Sequence, residues 1–195
     1  RLEDPEDLFE EGEGQVGNAT MGAERTQDYS AAFNVQVGES WAYSFGAWVR
    51  DMDQMTRYSH ERSGVYTYQI SVNGDYGSAR GLDLTLEWRR AFFGSQLQYT
   101  YSISKANSEY AWASISGQYV DAPSQEFITY FDRPHGLTYY AYTILPYGIQ
   151  AGLTANYQSG YPYTPIIFRG KDPVADDRNR NSKRGPGYKN VNISL

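Results

Sequence analysis

Apolar and polar residues alternate with a period of two through segment after segment of this chain, and no other feature restricts its fold as much. In segment 28–37, Tyr29, Ala31, Phe33, Val35 and Val37 share one parity, opposed by Asp28, Ser30, Ala32, Asn34 and Gln36. Segment 41–50 mirrors it, with Trp41, Tyr43, Phe45, Ala47 and Val49 against Ala42, Ser44, Gly46, Trp48 and Arg50, and only Trp48 breaks the rule. Segment 81–89 sets Leu82, Leu84, Leu86 and Trp88 against Gly81, Asp83, Thr85, Glu87 and Arg89, so its polar parity carries charges that must meet water. Segment 96–104 is the cleanest, with Leu97, Tyr99, Tyr101 and Ile103 against Gln96, Gln98, Thr100, Ser102 and Ser104. Segment 137–145 is softer, because Tyr140, Tyr142 and Ile144 oppose Leu137, Tyr139, Ala141, Thr143 and Leu145. Segment 149–158 recovers the pattern, and Val191, Ile193 and Leu195 begin a last alternation at 190–195.

Such alternation belongs to a strand lying between two different surroundings. One solution is a soluble sandwich, whose strands hide one face on a core. The other is a wall between lipid and water, where a strand of about 9–11 residues spans the hydrocarbon with only every second residue apolar. Two features favour the wall. Tyr29, Trp41, Trp88 and Tyr157 stand near segment ends, where an interfacial girdle places amphipathic rings. The polar parity is also rich in Gln, Asn, Thr and Gly rather than Lys and Glu, as suits a wet lumen. Spanning helices are excluded, since even the charge-free stretch 136–158 is broken up by Gly, Pro, Gln, Asn and Thr and lacks the roughly 20 contiguous apolar residues required. With a formal net charge of −6 and no cysteine, no nucleic-acid binding, disulfide or thiolate metal site is expected.

The connections give the direction of travel. Gly38-Glu39-Ser40, residues 91–95 and Leu145-Pro146-Tyr147-Gly148 are short enough for hairpin turns. Connections 52–80, 105–135 and 159–189 each run to about 30 residues, against about 4–6 inside a compact domain. Outer-membrane barrels combine short periplasmic turns with long extracellular loops. The expected fold is therefore all-β: about seven to eight strands of an antiparallel, up-and-down transmembrane β-barrel segment, with its three short turns in the periplasm. Tyr66, Tyr68, Ile70 and Val72 suggest one further strand inside connection 52–80, projecting above the membrane. Segment 1–26, with Glu3, Asp4, Glu6, Asp7, Glu10, Glu11 and Glu13, reads as a solvated acidic loop.

Several stretches carry a family resemblance. Tyr76-Gly77-Ser78-Ala79-Arg80-Gly81-Leu82-Asp83-Leu84 is a small-residue stretch, Arg-Gly and then an alternating apolar and acidic run, and it resembles a barrel strand of the TonB-dependent receptors. Phe131-Asp132-Arg133-Pro134-His135-Gly136-Leu137 resembles the Asp-x-x-His segment that opens a late strand in that family. Tyr157-Gln158-Ser159-Gly160-Tyr161-Pro162-Tyr163-Thr164-Pro165 resembles the strand exit that follows it. Gly17-Asn18-Ala19 through Glu24-Arg25-Thr26 resembles the loop before an earlier strand, with Ala23 where a proline is expected. The resemblance spans most of the chain and rests on the order and spacing of its parts. It implies an intact barrel of about 22 strands with an N-terminal plug, importing a scarce nutrient with energy passed from the inner membrane. Residues 1–195 are then expected to be a partial outer-membrane β-barrel domain without the plug. No signal peptide opens at Arg1, and the chain is expected to stop short of the family's terminal aromatic strand.

Few groups suit chemistry. His60 and His135 are the two histidines, and Gln158-Ser159-Gly160 lacks the first glycine of a nucleophile elbow. Asp132 and His135 are expected to brace the bend where a loop re-enters the sheet. Asp177-x-Asn179-x-Asn181, with Asp172 and Asp176 nearby, has the oxygen-ligand spacing of the first half of a calcium loop. Ser182 stands where glycine would follow, no Glu closes the loop, and Arg178, Arg180, Lys183 and Arg184 oppose a cation, so a solvated loop is the plainer reading. The basic residues within 178–189 suit an anionic ligand or lipopolysaccharide phosphates. The loop aromatics Tyr110, Trp112, Tyr119, Phe127, Tyr130, Phe131, Tyr161 and Tyr163 either form a ligand platform above the lumen or pack the loops against one another.

The expected role is a share in an energy-coupled outer-membrane receptor for a siderophore, a cofactor or an oligosaccharide. Its expected partners are outer-membrane lipid and lipopolysaccharide, the rest of the barrel and its plug, an inner-membrane energy-coupling protein and a small-molecule ligand. The expected location is the outer membrane of a Gram-negative-type bacterium. A passive porin or adhesin-type barrel would use the same strands, and an outer-membrane enzyme would need polar groups converging at the loop rim. No enzymatic activity, catalytic residue or cofactor is expected. Alone, the chain is expected to form an open sheet with two unsatisfied edges.

Overall fold

All seven alternating segments lie in strands of one sheet. The computed structural model describes residues 15–63, 66–107, 114–115, 118–119 and 126–195. In chain order the strands are β1 (Gln15–Val16), β2 (Arg25–Val37), β3 (Trp41–Ser63), β4 (Tyr66–Arg90), β5 (Phe93–Ala106), β6 (Ser114–Ile115), β7 (Gln118–Tyr119) and β8 (Phe127–Ile128). They continue as β9 (His135–Ile144), β10 (Gln150–Gln158), β11 (Pro162–Tyr163), β12 (Ile166–Arg169), β13 (Asp172–Ala175), β14 (Lys183–Arg184) and β15 (Tyr188–Ser194). The large sheet has the order β15-β10-β9-β5-β4-β3-β2, with β1 pairing parallel to β4 and β8 pairing with β5. Each long strand thus neighbours the next long strand in the chain, as in an antiparallel meander.

Registry keeps the two parities in separate rows. Leu97 faces Tyr139, Tyr139 faces Ala155 and Ala155 faces Val191, while the adjacent row holds Gln98, Thr138, Asn156 and Asn190. Because side chains alternate across a pleat, one face is a continuous apolar surface and the other a polar one. Tyr29, Phe33, Trp41, Phe45, Val191 and Ile193 are all exposed. Among the described residues the only buried hydrophobic side chain is Ala141, whereas Asp75, Asn107, Thr129, Asp132, Ser159 and Asn181 are buried. A sandwich would show the reverse, since a second layer would cover its apolar face.

The softer segment has a steric explanation. Tyr142 on β9 faces Gly94 on β5 and Gly152 on β10. A Cβ at Gly94 would lie 2.3 Å from Cε1 of Tyr142, so the ring occupies the space that a side chain at Gly94 would need. An aromatic ring over a facing glycine is a known device for covering exposed strand backbone.

The turns are tighter than the sequence suggests. Strand β5 begins at Phe93, leaving only Ala91 and Phe92 outside the strands where 91–95 was expected to turn. Gly38 (φ 61°) closes the β2–β3 turn in the left-handed region, and Tyr147 (φ 68°) and Gly148 (φ 76°) do the same after β9.

Two expected loops prove to be paired strands. Segment 52–80 extends β3 to Ser63 and starts β4 at Tyr66, so the run from Tyr66 to Val72 is the head of β4 and not a separate strand. The polar residues that broke the alternation there, such as Asp53, Gln54 and Arg57, are tolerated because strand pairing satisfies the backbone regardless of side chain. Segment 159–189 is a nested hairpin, β12 on β13 inside β11 on β14, with Gly170 (φ 69°) at the inner turn. In segment 105–135, β6 pairs with β7. The acidic residues Glu3 to Glu13 and the aromatics Tyr110 and Trp112 lie outside the described residues.

The chain forms two compact units. The first contains residues 1–27, 51–78 and 106–126, and the second residues 28–50, 79–105 and 127–195.

Candidate functional site

Two kinds of polar cluster stand out, and the first lines the polar face of the second unit. Trp48, the exception in the alternation, donates its indole N–H to Asp83 at 3.0 Å, and Thr100 donates its hydroxyl to the other carboxylate oxygen at 2.7 Å. The Trp48 ring overlies Gly81, where an added Cβ would come within 2.6 Å of it. An aromatic side chain fits the polar face because its N–H finds a carboxylate and a glycine makes room. The same face carries Arg50 on Asp28 at 2.6 Å, Gln96 on Glu87 at 3.1 Å, Arg89 on Glu87 at 2.8 Å and Thr138 on Asn156 at 3.1 Å. The result is a cross-strand lattice of donors and acceptors, able to hold water or a polar solute and unable to pack against lipid.

The second cluster is a knot at the head of β9, with Asp132, Ser159 and Asn181 buried in it. Asp132 accepts from the amide of Ser104 at 2.6 Å through Oδ1 and from Arg184 Nη2 at 2.5 Å through Oδ2, and its carbonyl accepts from Arg184 Nη1 at 2.8 Å. Arg133 donates Nε to the carbonyl of Ser159 and lies 4.6 Å over the Tyr161 ring. The amide of His135 donates to the Ser159 hydroxyl, and Nδ1 of His135 pairs with the Tyr99 hydroxyl at 2.8 Å. Asn181 donates to the carbonyl of Ile128, and its amide donates to the Thr164 hydroxyl. Gly160 passes so close to Gly185 that no side chain fits between them. The segments 131–137 and 157–165, which carry much of the resemblance, therefore meet in one structural joint. Asp132 and His135 brace the bend as expected from the sequence. The participation of Arg184 was not expected, because a partner 52 residues away leaves no local signal.

In the first unit, Asn73 plays a similar bracing part. Its Oδ1 accepts from the amide of Gly22 at 2.7 Å, and its Nδ2 donates to the carbonyls of Gly22 and Gln54. Gln54 has φ 56°, a left-handed backbone conformation within β3. Asn18 donates to the carbonyl of Ser71, and Glu24 accepts from the amide of Thr56 at 2.9 Å. That amide holds the Glu24 carboxyl below its ordinary value. Asn107 receives the amide of Tyr76 and donates to Asp75.

The other expected site residues are dispersed. Asn179 donates to Asp176, Asn181 is committed as above, and the Asp177 side chain lies outside the described residues. Among the described residues no three His, Cys, Asp or Glu side chains gather as metal ligands. Of the basic residues in 178–189, Arg184 is tied to Asp132, Arg180 lies 4.5 Å over Phe127 and Lys189 lies 6.0 Å from the centre of the Tyr157 ring. Tyr130, Phe131, Tyr161 and Tyr163 remain exposed, and Tyr130 and Phe131 meet edge to face. The His60 side chain lies outside the described residues.

Comparison with known proteins places this sheet among outer-membrane barrels. No protein-family model matches the chain, and no curated protein matches its sequence. Among solved structures, the chain is similar to the outer membrane transporter YddB from Escherichia coli, with a TM-score of 0.65 and 13% identity over 94% of this chain and 27% of that one. It is also similar to the FrpB iron transporter from Neisseria meningitidis (F3-3 variant), with a TM-score of 0.62 and 12% identity over 93% of this chain and 25% of that one. The chain spans about a quarter of the length of these solved chains. At this identity the likeness is one of fold: an antiparallel sheet like a stretch of the barrel wall in those two structures.

Proposed function

We propose that the chain is one part of the wall of an energy-coupled outer-membrane receptor of the TonB-dependent kind, which imports a scarce nutrient through a plugged barrel. The observation that carries this reading is the division of one sheet into a bare apolar face and a face laced with Trp48–Asp83–Thr100 and Arg50–Asp28 contacts. The apolar face meets lipid and the polar face meets the lumen. Strands β2 and β15 end the sheet order, and further strands of the intact barrel pair with their outer edges. The FrpB neighbour is an iron transporter by name, which favours an iron-bearing cargo over an oligosaccharide. The wall's task is passage rather than catalysis, with Asp132 and His135 spent on bracing.

The test is uptake by the intact protein in its own membrane. A panel of radiolabelled ferric siderophores, cobalamin and oligosaccharides should show one that enters only with the gene present and stops entering when a protonophore collapses the inner-membrane gradient. Uptake that survives the protonophore, together with steady conductance in planar bilayers, would replace the receptor by a passive pore.

A further inference from the structure

The apolar face carries a recess. Ala31 on β2 and Ala47 on β3 are small, and they line a groove of about 490 Å³ together with Tyr29, Val49, Leu82, Tyr101 and Ile103. That volume lies within the roughly 300–1,000 Å³ of small-ligand sites. Arg80 also lines it, on the apolar parity of β4. Arg80 is exposed and has no hydrogen-bond or ion-pair partner among the described residues, unlike Arg50, Arg89 and Arg184.

The position of this cation along the strand is informative. Ten residues separate Arg80 from Arg90 at the short turn, so at about 3.3 Å per residue and a tilt of about 40° Arg80 stands roughly 25 Å from the turn. That is the height of a barrel's apolar band, so Arg80 sits at the level of lipid headgroups on the side of the long connections. An unpaired guanidinium there is placed to take a phosphate bidentately. The apolar groove beside it matches a hydrocarbon chain, and Tyr29 adds an amphipathic ring at the same boundary.

We infer that this groove seats one acyl chain of a phosphate-bearing lipid of the leaflet on the long-connection side, with the lipid phosphate on Arg80. The inference rests on the reading of the apolar face as lipid-facing.

The intact protein, purified and delipidated in mild detergent, is incubated with bisphosphorylated lipid A, with the same glycolipid stripped of phosphate, or with inorganic phosphate, and retained lipid is counted by native mass spectrometry. The bisphosphorylated form is expected to be retained, the stripped form at least fivefold less, and inorganic phosphate not to displace it. Arg80→Gln and Arg80→Glu should each lower retention at least fivefold, Ala47→Trp should do the same by filling the groove, and Arg90→Glu should leave it unchanged. Heat-modifiable migration on gels verifies that each variant is folded. Equal retention by folded Arg80→Glu, or by folded Ala47→Trp, would overturn the inference. Lost retention sites in a protein that still imports its cargo leave the receptor reading intact, and lipid retention without import would defeat that reading alone.

Discussion

The guanidinium of Arg184 donates to both the carbonyl and the carboxylate of Asp132, a residue 52 positions earlier in the chain. The Asp132 side chain is 1% exposed, so the pair is a joint between two loops held where water does not reach the acid. Removing one partner of a buried ion pair leaves an uncompensated charge. Arg184→Ala is expected to cost about 3 kcal/mol or more, and Arg184→Lys part of that, because an ammonium cannot reproduce the two-pronged contact. Urea unfolding of the intact protein in detergent measures it, and a shift of under about 1 kcal/mol would show that water fills the gap.

A second expectation concerns Tyr142 and Gly94. Gly94→Ala places a methyl group against the ring and is expected to cost about 1–3 kcal/mol. The nearest atoms all belong to the Tyr142 side chain, so the double variant with Tyr142→Ala should recover much of the loss. A double-mutant cycle reads the coupling, and additive effects would contradict the packing described.

The two faces should differ in their tolerance of charge. Leu97→Arg on the apolar row is expected to cost about 2–4 kcal/mol near the bilayer midplane, and Gln98→Arg on the adjacent polar row close to nothing. Folding titrations into lipid vesicles compare them, and equal costs would remove the distinction between the faces.

Acid should loosen one contact in the first unit. The Thr56 amide lowers the Glu24 carboxyl below its ordinary value, so the contact contributes fully above about pH 4.5 and is lost as pH falls through the lowered folded-state value. Glu24→Gln should abolish that dependence. Hydrogen exchange at the Thr56 amide, corrected for intrinsic rate, follows it, and protection unchanged down to strong acid would contradict it.

The strands and their two faces were legible in the sequence because apolar and polar residues keep to opposite parities, as 96–104 and 149–158 illustrate. Trp48 and Tyr142 broke the pattern for reasons that lie on neighbouring strands, a carboxylate at Asp83 for one and a glycine at Gly94 for the other. The extensions of β3 and β4 were hidden because paired strands carrying Asp53, Gln54 and Arg57 show no alternation to read. The joint around Asp132 was only half legible: its bend was visible in Asp132-Arg133-Pro134-His135, but its partner Arg184 sat in what looked like one more charged loop residue.

The most direct test of the two-faced wall uses the absence of cysteine from these 195 residues, with any cysteine elsewhere in the intact protein first replaced by serine. Single cysteines at positions 96 to 103 of β5 in the intact, membrane-embedded protein are probed with a water-soluble maleimide. Substitutions at Gln96, Gln98, Thr100 and Ser102 are expected to react, and those at Leu97, Tyr99, Tyr101 and Ile103 to stay protected until detergent dissolves the bilayer. Labelling without alternation, or protection that persists in detergent, would contradict a wall between lipid and water.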